Sequence, residues 1–273
     1  TALKRTRAIL LSPTGSGKSF IIYLLVKYWL HYLSNGFNDP RGGRVLIIVP
    51  TTSLVEQMHQ DFIDYGGTKE MMHRIYSGKD KVTDKAVIIS TWQSIYKYPK
   101  KWFEQFGMVI GDECHGFKSK SLSSIMNKAT EAKYRFGTTG TLDGTQTHKL
   151  VLEGLFGPVY QVTTTKALQD NETLAPLDIN VLLLNYSEEI RKNFGKQTYQ
   201  DEIDFIIRND ARNRLIRNLA VSSKGNTLVL FLRVDAHGKP LYEMINNKVS
   251  EDRKVFFVSG EGDTADRESI RKI

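Results

Sequence analysis

Two short runs in this chain carry residue types that could do phosphate chemistry. Ser12-Pro13-Thr14-Gly15-Ser16-Gly17-Lys18-Ser19 follows a short apolar run, and Asp112-Glu113-Cys114-His115 follows another, Met108-Val109-Ile110. In the first, Gly15 and Gly17 free the backbone so that successive N–H groups of Thr14 to Ser19 can converge on phosphate oxygens. Lys18 would reach the β- and γ-phosphates and the Ser19 hydroxyl would ligate Mg²⁺. In the second, Asp112 can hold that metal, usually through water, and Glu113 can orient and deprotonate an attacking water. A Gly/Ser-rich turn and a pair of solvated loop acids are the bland readings. The conjunction favours one site using ATP and Mg²⁺ as cofactors, with Lys18, Asp112 and Glu113 as its catalytic groups. Ser12 stands where the general phosphate-loop pattern has Gly.

Such a site needs a strand before each loop and a helix after the first. The first 140 residues supply them as strands alternating with helices, the pattern of a mostly parallel α/β sheet. Strands are expected at Ala8–Leu11, Val45–Val49, Ala86–Ser90, Met108–Asp112 and Tyr134–Gly137. Helices are expected from Ser19 to about Leu33, from Ser53 to Tyr65 and, briefly, from Pro99 to Phe106. Ser34 to Gly43 reads as a loop, and Pro50 stops the second strand. From about Leu177 the texture changes. Strands are expected at Ile179–Leu184, Thr227–Phe231 and Val255–Val258, with a long charged helical region at Glu188–Val221 and a helix near Lys239–Asn247. This looks like the opening of a second α/β unit.

The chain has 273 residues, 40% hydrophobic and 25% charged, which is ordinary for a globular protein with a real core. Its longest apolar stretches fall far short of a bilayer span, so no membrane partner is expected. One cysteine excludes an internal disulfide and an all-Cys zinc site and fits a reducing cytosol. Cys114 and His115 lack further ligands at metal spacing. The net charge of +8 fits either a solvated basic surface or a polyanionic partner. Arg208, Arg212, Arg214 and Arg217 read as a solvated helix diluted by Asp204 and Asp210. Trp92 and Trp102 read as packing residues rather than base-stacking ones, and Met71-Met72-His73 as loop or core.

The order of the motifs resembles the superfamily 2 helicases, specifically the DExH group. Ser12–Ser19 looks like motif I, Val49–Leu54 like motif Ia, Ser90–Ser94 like the motif after the third strand, and Asp112–His115 like motif II. Thr139-Gly140-Thr141 stands at motif III. The resemblance covers nearly the whole chain, including Ile47–Leu54, Pro99–Met108 and Val258–Arg267. It implies a RecA-like P-loop NTPase sheet with helices on both faces (residues 1–175), then a linker and an incomplete second RecA-like domain (176–273). It also implies an ATP-dependent DNA helicase or translocase acting on branched recombination or replication intermediates in the cytoplasm, the host's if phage-encoded. Recombination or replication proteins would be its partners. Thr51, Thr52 and Thr91 would contact single-stranded or branched DNA through its phosphates, whereas residue chemistry alone reads Thr51-Thr52 as a helix cap. His115, Thr139 and Thr141 would couple nucleotide to DNA. A module that binds without catalysis and an RNA-directed motor remain the alternatives.

In the later part, Thr227–Phe231 resembles motif IV, and Ser259-Gly260 with Arg267 the segment preceding motif V. Motif V itself, the Gln-x-x-Gly-Arg-x-x-Arg of motif VI and the upstream adenine-reading glutamine have no counterpart. The chain is therefore expected to be an internal fragment that binds Mg·ATP but turns it over slowly, since arginine fingers contribute roughly 10³–10⁵-fold in rate.

Overall fold

The computed structural model describes residues 4–34, 43–76, 82–142, 146–194, 197–260 and 270. The chain divides into two compact units, Thr1–Leu177 and Asp178–Ile273. In the first, seven strands form one sheet: β1 (Arg7–Leu11), β2 (Arg44–Val49), β3 (Met72–Ile75), β4 (Val87–Thr91), β5 (Phe106–Asp112), β6 (Tyr134–Thr139) and β7 (Val159–Gln161). Their order is β3-β4-β2-β5-β6-β1-β7, and every pairing is parallel. All C-terminal strand ends therefore open on one edge of the sheet.

The helices follow from the crossovers that parallel strands require. They are α1 (Lys18–Tyr28), α2 (Thr52–Asp64), α3 (Trp92–Ile95), α4 (Lys100–Phe103), α5 (Lys120–Lys128), α6 (Gln146–Phe156) and α7 (Thr165–Asp170). Alternating strand residues feed two cores, as burial on both faces demands. Ala8, Leu10, Val45, Ile47, Val49, Met108 and Ile110 pack with residues of α1 and α2. Ile9, Leu46, Ile48, Ile88 and Val109 pack on the other face with Ile95, Phe103, Ile125 and Phe156.

Two strands escape the sequence reading. β3 includes Met72 and His73 of the cluster read as loop or core, and β7 is a three-residue edge strand beside β1. The expected first helix continues past Tyr28 as a wider π-helical segment, Trp29–Ser34. There the Trp29 indole donates to the Gly43 carbonyl at 2.7 Å and lies against Gly107, where a side chain would collide with it. Most of the expected loop, Asn35–Gly42, and Arg267 lie outside the described residues. The short helix after Pro99 ends at Phe103, because β5 begins at Phe106 rather than Met108.

The second unit departs further. The expected long helix is broken into α8 (Glu188–Phe194), α9 (Tyr199–Arg208) and α10 (Asp210–Ser222), followed by α11 (Lys239–Asn246). Thr198 and Asp201 form a capping box at the start of α9, and the Asn209 side chain caps α10 by accepting from the Arg212 amide. These competing local hydrogen bonds end one helix and start the next. The expected strands Ile179–Leu184, Thr227–Phe231 and Val255–Val258 carry no ladder among the described residues. Leu183 and Leu228 are each 83% exposed, so no covering layer rewards the pattern. β-propensity makes no strand without a partner's N–H and C=O groups. Phe231 and Phe257 nonetheless stack at 5.3 Å between centroids, holding two of these segments together through side chains.

Gly111 in β5 is required by packing. A Cβ there would lie 2.8 Å from Phe117 Cζ and 2.9 Å from Phe156 Cζ, two buried rings in edge-to-face contact. Gly111→Ala is expected to cost about 1–3 kcal/mol by overpacking, read as a lower urea midpoint with an unchanged slope.

Candidate functional site

The phosphate loop joins β1 to α1. Gly15 and Gly17 both have φ of +80°, the left-handed region that favours glycine. Gly17 is the N-cap of α1 and offers no side chain to the first-turn amides. These N–H groups and the helix dipole therefore face outward, the arrangement that accepts an anion. Ser12 has no need of glycine's freedom, since positive φ at described non-glycine residues is confined to Glu113 and Glu172. Fully buried, it donates to Ser16 Oγ at 2.6 Å, and Ser16 donates to the Pro13 carbonyl at 2.6 Å. The hydroxyl thus braces the loop from inside. Leu174, beyond α7, abuts Gly15 from outside.

β5 and β6 bring the other groups alongside. Register aligns Leu11 with Thr139, and Thr138 with Asp112. Lys18 Nζ lies 3.3 Å from the Ser12 carbonyl and 3.8 Å from Glu113 Oε1. Thr138 donates to Asp112 Oδ1 at 2.7 Å. Burial is the main cause that raises the Asp112 carboxyl above the ordinary range, opposed by Thr138 and reinforced by the Glu113 charge. Glu113 adopts φ of +48°, a strained conformation for a non-glycine residue. His115 Nδ1 lies 2.9 Å from Thr139 Oγ1 and 3.3 Å from Glu113 Oε2. The Thr139 hydroxyl lies 2.9 Å from the Thr141 carbonyl and 3.5 Å from Glu113 Oε2. Gly140 faces Lys18 and the loop, with a Cβ position 3.6 Å from Nζ.

All sequence-predicted nucleotide residues therefore meet at one edge: Thr14, Gly15, Ser16, Gly17, Lys18 and Ser19 after β1, Asp112, Glu113 and His115 after β5, and Thr139 and Thr141 at β6. The donor set fits a polyphosphate with a divalent cation: outward amides, an ammonium, a serine hydroxyl and a buried carboxylate. Cys114 is buried beneath it against Gly137, its thiol pushed up to about 12 mainly by burial. That makes it packing rather than chemistry. Sequence reading missed Tyr65, whose hydroxyl lies 3.0 Å from Ser19 Oγ. Its position at the end of the predicted second helix was the only signal.

Thr51, Thr52 and Thr91 lie along the same edge, after β2 and β4. Thr51 Oγ1 accepts from the Leu54 amide at 3.3 Å as the N-cap of α2, and Thr52 is that helix's first residue. The cap reading of Thr51 holds. Thr91 is buried, with its hydroxyl 2.9 Å from that of Ser94. Gln93 reaches the Pro50 carbonyl at 3.5 Å and ties the two loops together. Trp92 and Trp102 pack against the core, Trp102 edge-on to Phe106. Of the basic residues in the second unit, Arg214 pairs with Asp210 at 3.0 Å, and Arg212 lies 3.3 Å from His237 Nε2.

Fold and site define an α/β P-loop nucleotide-binding domain of the RecA-like kind found in superfamily 2 helicases. Residues 2–144 match the family model described as "Type III restriction enzyme, res subunit", and the chain belongs to that family. It is 36% identical over 279 aligned residues to the ATP-dependent DNA helicase uvsW of Enterobacteria phage T4, covering 99% of this chain and 53% of that protein. The crystal structure of the UvsW helicase from bacteriophage T4 matches with 39% identity and a TM-score of 0.50, over 57% of this chain and 54% of that one. The Hef helicase domain of Pyrococcus furiosus matches in fold, with a TM-score of 0.54 at 18% identity, over 90% of this chain and 51% of that one. The chain spans about half the length of these relatives.

An ionised Asp112 held in a desolvated position opposes folding. Because its folded-state pKa is raised, this cost is absent below the unfolded value near 3.8 and sets in as pH rises through the folded value. Asp112→Asn is therefore expected to raise the melting temperature of the ligand-free protein at pH 7 by a few degrees. The gain should shrink as the pH of the thermal scan is lowered towards 4.

Proposed function

We propose that this chain is the nucleotide-binding part of an ATP-dependent DNA helicase or translocase acting on branched recombination or replication intermediates. The observation that carries it is the convergence of Lys18, Glu113 and the Thr139 hydroxyl at the adjacent ends of β1, β5 and β6. Family membership supports the chemistry, and the T4 relative's description as a DNA helicase supports DNA over RNA. Residues 1–175 serve as the first RecA-like domain and 176–273 as linker and the start of a second, a reading supported by the separation of two compact units near residue 177.

The loop amides of Thr14 to Ser19 and the Lys18 ammonium hold the phosphates of ATP. Ser19 and Asp112 hold Mg²⁺, which when bound neutralises charge developing on the transferred phosphoryl group. Glu113, in a left-handed backbone conformation directly after β5, orients the attacking water and takes its proton. His115 and Thr139 fix the Glu113 carboxylate through its second oxygen. Because Thr139 also bonds Thr141, movement of the β6 loop reaches the base directly. At the same sheet edge the loops carrying Thr51, Thr52 and Thr91 contact DNA phosphates through backbone amides and the Thr52 hydroxyl, read without base sequence. The Thr51 hydroxyl caps α2, and the buried Thr91 hydroxyl meets Ser94. With a phage protein as relative and no described helix long and apolar enough to cross a membrane, the host cytoplasm is the proposed place of action.

Nucleotide binding and DNA-stimulated ATPase, measured on the same preparation with single-stranded, duplex and forked DNA, test the assignment. Glu113→Gln should keep nucleotide affinity while lowering turnover by about 10²–10⁴-fold, whereas Lys18→Ala should lose affinity itself. Equal loss of binding in both would remove Glu113 from the chemistry. DNA binding should weaken linearly in log affinity against log salt. Thr52→Ala should reduce that affinity similarly on unrelated DNA sequences; a sequence-dependent effect, or a preference for matched RNA, would overturn the phosphate-contact assignment.

A further inference from the structure

We propose that Tyr65 is a positioning residue for the metal-binding hydroxyl of Ser19, an assignment that rests on the nucleotide reading above. The two side chains come from different elements, 46 residues apart in sequence, and their oxygens lie 3.0 Å apart. A serine hydroxyl has one proton and two lone pairs. If the proton goes to a fixed acceptor, both lone pairs remain for a cation. Tyr65 Oη is placed to be that acceptor.

The structure holds Tyr65 more firmly than a helix end requires. α2 closes with a Schellman arrangement, in which the Gly66 amide donates to the Ile63 carbonyl and the Gly67 amide to the Phe62 carbonyl, at 2.9 and 2.8 Å. Gly66 has φ of +91°, and a Cβ on Gly67 would lie 2.8 Å from the Phe62 carbonyl oxygen. Both glycines thus serve the turn that aims Tyr65 back at α1. The ring is then clamped edge-on by Phe20 at 5.0 Å and tilted against Tyr23 at 5.6 Å. Phe20 directly follows Ser19, so the helix that presents the hydroxyl also grips the ring that receives it.

Tyr65→Phe keeps the ring and removes only the oxygen. Binding of N-methylanthraniloyl-ATP is titrated with Mg²⁺ and, separately, measured in EDTA, alongside thermal unfolding without nucleotide. The Mg²⁺ concentration for half-maximal tight binding should rise about 3- to 10-fold, the effect of one hydrogen bond, with metal-free affinity unchanged and the melting temperature lowered by at most a few degrees. Tyr65→Ala should shift the Mg²⁺ dependence similarly and also lower the melting temperature through lost ring packing. An unchanged Mg²⁺ dependence in Tyr65→Phe, or equal loss with and without Mg²⁺, would overturn the assignment and leave Tyr65 as a packing residue. If the unaltered protein shows no Mg²⁺-dependent binding, the nucleotide reading fails and this inference with it.

Discussion

The constraint on which the rest depends is the parallel pairing of β1, β6 and β5 in adjacent positions. Parallel strands deliver all their C-terminal ends to one edge, and ligands of open α/β sheets bind there. Because Leu11 lies opposite Thr139 and Thr138 opposite Asp112, the phosphate loop, the Thr139 loop and the acidic pair begin at the same height. Side-chain reach then needs to cover only about one residue's length. A one-residue slip of β5 against β6 would turn Asp112 towards the opposite core and remove Glu113 from Lys18. The close approach of Cys114 to Gly137 resists that slip. Small residues inside the strands therefore set the position of the charged ones at their ends.

The same edge concentrates electrostatic cost. Asp112 is buried and its carboxyl raised, and Glu113 carries an unfavourable backbone conformation beside it. Neither arrangement favours folding by itself. Thr138 offsets part of the first cost with a hydrogen bond, and Lys18, His115 and Thr139 surround the second. A bound cation would offset more, so stability and ligand affinity are drawn from the same pair of residues. This favours a functional over a structural origin for the strain.

The nucleotide half of the molecule was legible because its signals are local and redundant. A glycine-dependent loop, a strand before it, a helix after it and an acidic pair at another strand end each constrain a few consecutive residues. β7 was not legible, since three residues at a sheet edge carry no periodicity. β3 was hidden for a related reason, as Met72-His73-Arg74-Ile75 has buried ends around two partly exposed residues. Tyr65 could not be assigned because its partner lies 46 positions away and only the packing of α1 on α2 joins them. The helix break at Asn209 was present in the sequence as a cap residue, yet the charged periodicity on either side masked it. Resemblance, rather than residue chemistry, pointed to Thr51 as a phosphate contact, and the structure shows its hydroxyl already engaged as a helix cap.

The second unit shows what periodicity alone cannot decide. Leu228, Leu230 and Leu232 alternate as a strand should, but their exposures of 83%, 80% and 93% show no surface receiving them. Its helices need less. Thr198 and Asn209 cap α9 and α10 through bonds within three residues, and α11 buries Leu241 and Ile245 on one side. Helical hydrogen bonds close within a segment, whereas a strand's must be met by another segment at the right height. The side-chain stack of Phe231 on Phe257, with Tyr242 tilted at 5.5 Å, brings two such segments together without pairing their backbones. Hydrophobic contact is thus sufficient for proximity in this unit, and backbone register is the additional condition that separates a cluster from a sheet.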